Sequence, residues 1–382
     1  MEYNKYELQE IASMKYGKMP KKDKIVDKGY PIYSGYKITG FYEEYMYDDE
    51  MIIVVARGVG GTGDVKLSPP KSYITNLSII LDTNENLVDK KYLQLLLHSM
   101  KLKYLDSGSA QSQITINDLK RLKICLPNIK HQKKISSFIK LINRKIEINQ
   151  NIITNLKKLS QTLFKRWFVD FEFPDEDGNP YKSSGGEMID SEIGEIPKGW
   201  EISKLDKIIN IKSGKRPRNK VNIMDNKNNT PIIGASKIMG YTSDYLESEP
   251  ILVMGRVGTH GVIQRFNNNV WPSDNTFIIK SKFMIYTYFI LINIDYKSLN
   301  RGSTQPLLSQ KDIKNINIII PKSDSLIVKY EEITNIYFKE VDVIKDQISY
   351  LIELRDTLLP KLMSGELEIP DDIEVNIDEF SI

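Results

Sequence analysis

Nearly every informative phrase of this chain occurs twice, roughly 195 to 200 residues apart, and no other feature constrains its architecture as tightly. Pro31-Ile32-Tyr33-Ser34-Gly35-Tyr36-Lys37-Ile38-Thr39-Gly40-Phe41 returns as Pro231-Ile232-Ile233-Gly234-Ala235-Ser236-Lys237-Ile238-Met239-Gly240-Tyr241. Gly17-Lys18-Met19-Pro20 returns as Gly214-Lys215-Arg216-Pro217. Gly108-Ser109-Ala110-Gln111, with Asp118-Leu119-Lys120 and Pro127, returns as Gly302-Ser303-Thr304-Gln305, Asp312-Ile313-Lys314 and Pro321. Solenoid and propeller repeats run about 20 to 50 residues, so a period near 200 marks duplication of a whole domain. Spacing kept while the residues between it change predicts two copies of one scaffold with two different surfaces.

Within each half the pattern begins strand-like and ends helical. Met51 to Val55, Leu77 to Leu81 and Leu122 to Leu126 match Ile251 to Met254, Thr276 to Ile279 and Ile316 to Ile320. These apolar runs, rich in β-branched residues and bounded by Gly, Pro, Asn and Asp, predict strands. Tyr6 to Met14 and Trp200 to Ile209 read as short helices, and Tyr92 to Tyr104 and Phe283 to Ile294 as apolar ones. After Pro127, the positions Ile135, Ile139, Ile142, Ile146, Asn149, Ile153, Leu156, Ser160 and Leu163 advance in steps of four and three. After Pro321 the same steps run through Tyr330, Thr334, Tyr337, Val341, Ile344, Ile348, Leu351, Arg355, Leu358 and Leu362. Such a heptad seam predicts a helix of roughly 35 residues, about 50 Å long, closing each half. Two matching seams predict that the helices pair, antiparallel because a whole domain intervenes, with Asn149 either setting register or solvated.

The expected fold is therefore α+β: two duplicated mixed α/β domains separated by a long antiparallel two-helix coiled coil. The boundaries read as residues 1–128 for the first domain, 129–169 for the central helix and 170–199 for an acidic linker. Residues 200–322 form the second domain, 323–364 the distal helix and 365–382 an acidic tail. Leu163 to Phe171 places four large aromatics, Phe164, Trp167, Phe168 and Phe171, where the first helix ends; they suit either a local plug or a docking surface for a partner.

Charge is segregated along the chain. Residues 170–199 hold nine acidic and two basic residues, and 364–382 hold seven acidic and none basic. Set apart from the total of 53 basic and 50 acidic residues, they leave 51 against 34, a body of about +17. That balance suits nucleic acid, although a solvated lysine-rich surface has the same composition. No apolar run is long enough to span a bilayer, and one cysteine, Cys125, in a strand-like run predicts a buried small hydrophobe in a reducing, cytoplasmic setting.

Motifs that resemble catalytic ones lack their context. Gly58-Val59-Gly60-Gly61-Thr62-Gly63 fits the dinucleotide fingerprint by letter, but Asp64 to Pro70 follows, whose prolines forbid the helix that would meet a phosphate. Ser68-Pro69-Pro70-Lys71 has lysine where an amino-methyltransferase loop needs an aromatic to stack on a flipped base. Three histidines and one cysteine assemble no Cys/His zinc site. A reader without chemistry of its own is expected.

The whole chain resembles the specificity subunit of type I restriction-modification systems. The resemblance is carried by Leu163-Phe164-Lys165-Arg166-Trp167-Phe168-Val169-Asp170-Phe171-Glu172-Phe173-Pro174, by Asp190-Ser191-Glu192-Ile193-Gly194-Glu195-Ile196-Pro197-Lys198-Gly199-Trp200, and by Leu358-Leu359-Pro360-Lys361-Leu362-Met363-Ser364-Gly365-Glu366-Leu367. It implies a non-catalytic subunit of a DNA adenine methyltransferase and ATP-dependent endonuclease, whose two target-recognition domains read a bipartite double-stranded DNA site. It further implies two methyltransferase subunits as partners, joined in some assemblies by restriction subunits. The cofactors S-adenosylmethionine, ATP and Mg would sit on those partners and none on this chain. The coiled coil would act as spacer ruler and methyltransferase dock, with Phe164, Trp167, Phe168 and Phe171 as the partner-binding cluster.

Residue type and position suggest the contacts. Lys15, Lys18 and Lys21, and Lys215, Arg216 and Arg218, are basic, glycine-loosened and matched between halves, which suits phosphates. Lys37 and Lys237, kept in both copies, suit backbone contact or scaffold. Arg57, Gln111 and Gln113, and Arg256, His260, Arg301 and Gln305, carry long or amide-bearing side chains on loops, which suits base edges. The alternative is a two-headed protein-interaction scaffold on a coiled-coil strut, against which the basic body and divergent polar loops argue.

Overall fold

The computed structural model describes residues 3–35, 37–58, 61–106, 112–256, 261–296 and 308–370. Contacts group the chain into two compact units, residues 1–149 with 347–382, and residues 150–346. The first contains β1 (Asn4–Glu7), α1 (Leu8–Ile11), β2 (Ala12–Tyr16), β3 (Ile25–Val26), β4 (Tyr30–Ser34), β5 (Lys37–Tyr42), β6 (Ile52–Val55), β7 (Val65–Leu67), β8 (Tyr73–Ile74) and β9 (Ser78–Thr83). Helices α2 (Lys90–Ser99) and α3 (Ile116–Lys120) lead to β10 (Lys123–Leu126) and the long α4 (Ile129–Phe168). The second unit holds the hairpin β11 (Met188–Ile189) and β12 (Ile196–Pro197), then β13 (Trp200–Lys204), β14 (Asn210–Ser213), β15 (Thr230–Ile233), β16 (Ile238–Thr242), β17 (Ile251–Gly255), β18 (Ile263–Phe266), β19 (Trp271–Pro272) and β20 (Thr276–Lys280). Helices α5 (Met284–Ile292) and α6 (Gln310–Lys314) precede β21 (Asn317–Pro321) and the long α7 (Ser325–Ser364).

Strand order repeats between the units. The sheet β2-β9-β6-β7 corresponds to β14-β20-β17-β18, β5-β4-β8 to β16-β15-β19, and the pair β1-β10 to β13-β21. Even the register irregularity recurs, between Ile32 and Tyr33 and between Ile232 and Ile233. Strands β6 and β17 are buried at every position because both of their faces are covered. Ile52, Val54, Ile79 and Leu81 face the main core of the first unit, while Ile53 and Ile80 face a smaller core with Tyr33 and Ile74. In the second unit, Leu252, Met254, Phe277 and Ile279 face the main core, and Ile251, Val253 and Ile278 the smaller.

The expected strands appear within a residue or two of their sequence limits, and two expected helices do not. Tyr6 to Met14 forms β1, one turn of helix and β2, and Trp200 to Ile209 forms β13 followed by a 3-10 turn over Leu205–Lys207. The first strand of each segment pairs antiparallel with the last strand of its own unit, Asn4↔Leu126 to Glu7↔Lys123 and Trp200↔Pro321 to Lys204↔Asn317, while Ala12 to Met14 pair with Thr83 to Leu81. A tertiary ladder more than a hundred residues distant in sequence outweighs weak local helix preference. Cys125 is exposed, a correction to the expected buried thiol, because strand alternation turns Ile124 and Leu126 inward and Cys125 outward.

The two long helices span 40 residues each, and their seams are the inner faces. In the first unit, Ile135, Ile139, Ile142 and Ile146 share a core with Leu362 and Met363. Asn143 accepts from Arg355 Nη1 at 3.0 Å, and Asn149 donates from Nδ2 to Gln347 Oε1 at 3.3 Å. In the second unit Tyr330 donates its hydroxyl proton to Ser160 O at 3.0 Å. In the first unit, as residue number rises on α4 that of its contact falls on α7, so the two segments run antiparallel there. Asn149 is 1% exposed, so of the two sequence readings the solvated one is excluded.

Helix α5 begins without a cap of its own, because Phe283 has no side-chain acceptor to offer. Glu331 on α7 supplies one, accepting from Tyr286 N at 2.7 Å. Burial pushes the Glu331 carboxyl above the ordinary carboxylate value of 4.5, against the pull of the backbone N–H groups of Tyr286 and Ile285. A carboxyl with a raised folded-state pKa stabilises the fold fully below 4.5, and this contribution is lost as pH rises through the raised value. Glu331→Gln keeps an acceptor for Tyr286 and removes the titration. Urea unfolding should therefore find the variant more stable than the parent at pH 8 and not at pH 4, and an equal gain at both pH values would refute the assignment.

Candidate nucleic-acid interface

Two loops of like sequence carry the matched basic clusters, and the same backbone contacts hold both. Gly17 N donates to Ser78 O and Lys18 N to Ile74 O, at 3.1 and 3.0 Å; Gly214 N donates to Thr276 O and Lys215 N to Pro272 O, at 2.9 and 3.0 Å. The loop lies so close to the neighbouring strand that a Cβ on Gly17 would sit 2.3 Å from Thr75 O, and one on Gly214 would sit 2.2 Å from Ser273 O. Glycine is required there by the approach of two backbones, which explains why the Gly-Lys pair survives in both halves.

In the second unit, Lys215, Arg216 and Arg218 stand together on a cleft of about 510 Å³ whose wall includes Tyr245, Asp244 and Trp271. Trp271 Nε1 donates to Lys215 O at 2.7 Å, fastening the basic loop to β19. In the first unit the Tyr73 hydroxyl reaches Met19 O at 3.4 Å, and Lys21 N donates to the Tyr42 hydroxyl at 3.3 Å. Lys18 and Lys21 are exposed. Lys15 is already engaged: its ammonium lies 5.2 Å from the Tyr47 ring centroid, and the nearby Tyr47 side chain holds its pKa up.

Lys37 and Lys237 lie at the tips of equivalent hairpins, exposed, with the Lys237 carbonyl accepting from Gly234 N at 2.8 Å. Arg57 is exposed and bridges backbone to backbone with Gln113, whose N–H donates to Asp106 Oδ1 at 2.7 Å. Arg256 is half-buried, its guanidinium 5.7 Å from the Phe277 ring, which turns it toward its own core. Gln111, His260, Arg301 and Gln305 lie outside the described residues.

Sequence reasoning missed several neighbours. Arg57 lines a cleft of about 1460 Å³ together with Lys101, Lys103, His98 and, from α7, Arg355. Arg355 occupies a seam position, and no linear spacing ties it to Arg57. Trp271 did carry a signal, a tryptophan two residues past the polar run Asn267-Asn268-Asn269. The described end of the glycine-rich segment runs straight into β7, so it presents no helix N-terminus to a phosphate.

The aromatic cluster is corrected. Phe164, Trp167, Phe168 and Phe171 are 4, 6, 6 and 6% exposed and belong to the main core of the second unit. Phe164 stacks on Phe289 at 5.6 Å, Phe168 packs edge-on to Tyr286 at 4.7 Å and to Tyr330 at 5.3 Å, and Phe171 packs edge-on to Trp200 at 5.3 Å. Aromatic rings of this size lose most when left in water, and the unit's own helices supply the cover. They are the plug, and offer a partner no surface. The acidic connector likewise is folded onto this unit, with Phe173 stacked between Tyr181 at 4.6 Å and Trp200 at 5.4 Å.

Among the described residues no group of His, Cys, Asp and Glu could hold a metal ion, and no helix is long and apolar enough to cross a membrane. A family model described as "Type I restriction modification DNA specificity domain" matches residues 1–158 and again 197–337. The MjaIX specificity subunit of Methanocaldococcus jannaschii is 27% identical over 297 residues, covering 71% of this chain and 66% of that protein. The HindI specificity subunit of Haemophilus influenzae is 24% identical over 374 residues, covering 76% of this chain and 80% of its own length. The crystal structure of the S subunit of a type I restriction-modification system from M. genitalium shares the fold, with a TM-score of 0.65, 21% identity and 97% of each chain covered.

Proposed function

This chain belongs to the type I restriction-modification DNA specificity family, and we propose that its two units each read one half of a bipartite double-stranded DNA site. The observation that carries this reading is the repeated strand order with unlike loops, each copy presenting a glycine-anchored basic loop. One scaffold with two surfaces suits two half-sites of different sequence. The chain itself is non-catalytic on this reading. S-adenosylmethionine, ATP and Mg belong to methyltransferase and restriction subunits, and the assembly works on DNA in the cytoplasm.

The two long helices form a coiled coil that separates the target-recognition domains and docks two methyltransferase subunits. With the aromatic cluster consumed by the core, the docking role passes to outward helix positions. Ile336 and Val343, seven residues apart on α7, are 68 and 51% exposed, and Leu159 on α4 is 55% exposed. Large apolar side chains left in water on a helix already paired along its other face support a protein partner.

Lys215→Ala, Arg216→Ala and Arg218→Ala combined test the DNA reading. The triple variant should weaken binding to every duplex alike and flatten the log-log salt dependence by about 0.9 per lost phosphate contact. Filter binding at several salt concentrations measures both. A changed sequence preference at unchanged salt slope would assign these residues to bases, and intact binding would remove the loop from the interface.

A further inference from the structure

At the place in the first unit that matches the cleft of the second, an aromatic pair fills the space, and one residue makes the difference. Tyr42 ends β5 opposite Tyr30, where Thr242 ends β16 opposite Thr230. Tyr73 pairs with Ile32 where Trp271 pairs with Ile232. In the first unit the Tyr42 ring fills the space against Tyr73, centroid to centroid 4.2 Å, and the two are 2 and 9% exposed. In the second, Thr242 brings no ring, Trp271 is half-buried at the gap, and Tyr245 beside it is 55% exposed. The resulting volume of about 510 Å³ falls in the range of small-ligand sites.

Its chemistry is specific. Two aromatics line it, three cations surround it, and among the described residues none of those cations forms an ion pair. The hydrogen bond from Trp271 Nε1 to Lys215 O couples the aromatic wall to the basic loop, so both are preset for one ligand. Flat π-faces stack on bases, and Lys or Arg beside them takes the phosphate. Duplex backbone alone would need the cations but not the exposed rings. We propose that this cleft takes one unstacked nucleotide of the bound DNA, its base against Trp271 and Tyr245 and its phosphate on Lys215, Arg216 and Arg218. Asp244, the carboxylate in the wall, suits an exocyclic amino group, so cytosine or adenine fits better than thymine. The assignment rests on the DNA-reading function, and goes beyond it in giving only the second unit this site.

Tryptophan fluorescence tests it in the full chain, co-purified with its methyltransferase subunits. Of the three tryptophans, Trp167 and Trp200 are 6 and 4% exposed, so quenching of this chain by short strands reports Trp271 once partner signals are subtracted through Trp271→Phe. Twelve-nucleotide dC or dA strands should quench emission, with dT weaker, and Trp271→Phe should abolish the response. Tyr245→Ala, which leaves the Trp271 to Lys215 bond in place, should weaken strand binding about tenfold. Duplex binding with no Trp271 response to any strand and no effect of Tyr245→Ala overturns the proposal and leaves DNA reading intact. Failure to bind duplex as well as single strands overturns both.

Discussion

A chain whose residues 1–127 are exchanged for the corresponding segment of a relative with a different site is expected, with its partner subunits, to methylate a motif changed in one half and unaltered in the other. The whole segment lies within the first unit, and Pro127 separates its last strand from α4, so the graft ends where the chain leaves the sheet. Its difficulty is packing. Leu8, Leu93, Leu119 and Leu126 share a core with Ile135, Ile139, Leu362 and Met363, which the exchange leaves behind. Overpacked or underpacked positions there cost about 1 to 3 kcal/mol each, so the graft should retain the apolar residues that face the helices. Methylome sequencing reads the outcome. Changes in both half-sites would mean the units read jointly.

Seven residues added to each long helix, after Asn149 in α4 and after Asp346 in α7, are expected to abolish modification of the original site. The two units divide after Asn149 and after Asp346, so insertions there leave the interior of each unit untouched and preserve the heptad phase. Each helix lengthens by about 10 Å, equivalent to roughly three base pairs at 3.4 Å per pair. DNA turns through about a third of its helix over that distance, at 10 to 10.5 base pairs per turn, so the outcome is either a motif with a longer spacer or loss of binding. Normal methylation of the original motif with its original spacer would show that the helices do not set half-site distance.

The seam was legible in full. Every position picked out by steps of four and three, from Ile135 to Leu163 and from Tyr330 to Leu362, is buried or half-buried, because the period of a paired helix is written directly in residue spacing. The core strands were legible for the same local reason, as apolar runs closed by turn residues. Matched glycines at 17 and 214 marked the two basic loops before their cause, a backbone within 2.3 Å of an added Cβ, could be seen.

What tertiary structure decided were the questions of partner and exposure. Whether Tyr6 to Met14 is helix or strand depends on Lys123 to Leu126 and on Leu81 to Thr83, far away in the chain. Whether Phe164, Trp167, Phe168 and Phe171 meet solvent depends on Tyr286, Phe289, Tyr330 and Trp200 arriving from three other segments. The arrangement of Arg57 with Arg355, and of Lys215 with Trp271, likewise comes only from folding. Periodicity and turn chemistry are properties of neighbours along the chain, so the sequence alone determined the duplication, the strands and the paired helices. Burial and juxtaposition are properties of neighbours in space, and for an aromatic or a cation those neighbours exist only once the chain has closed on itself.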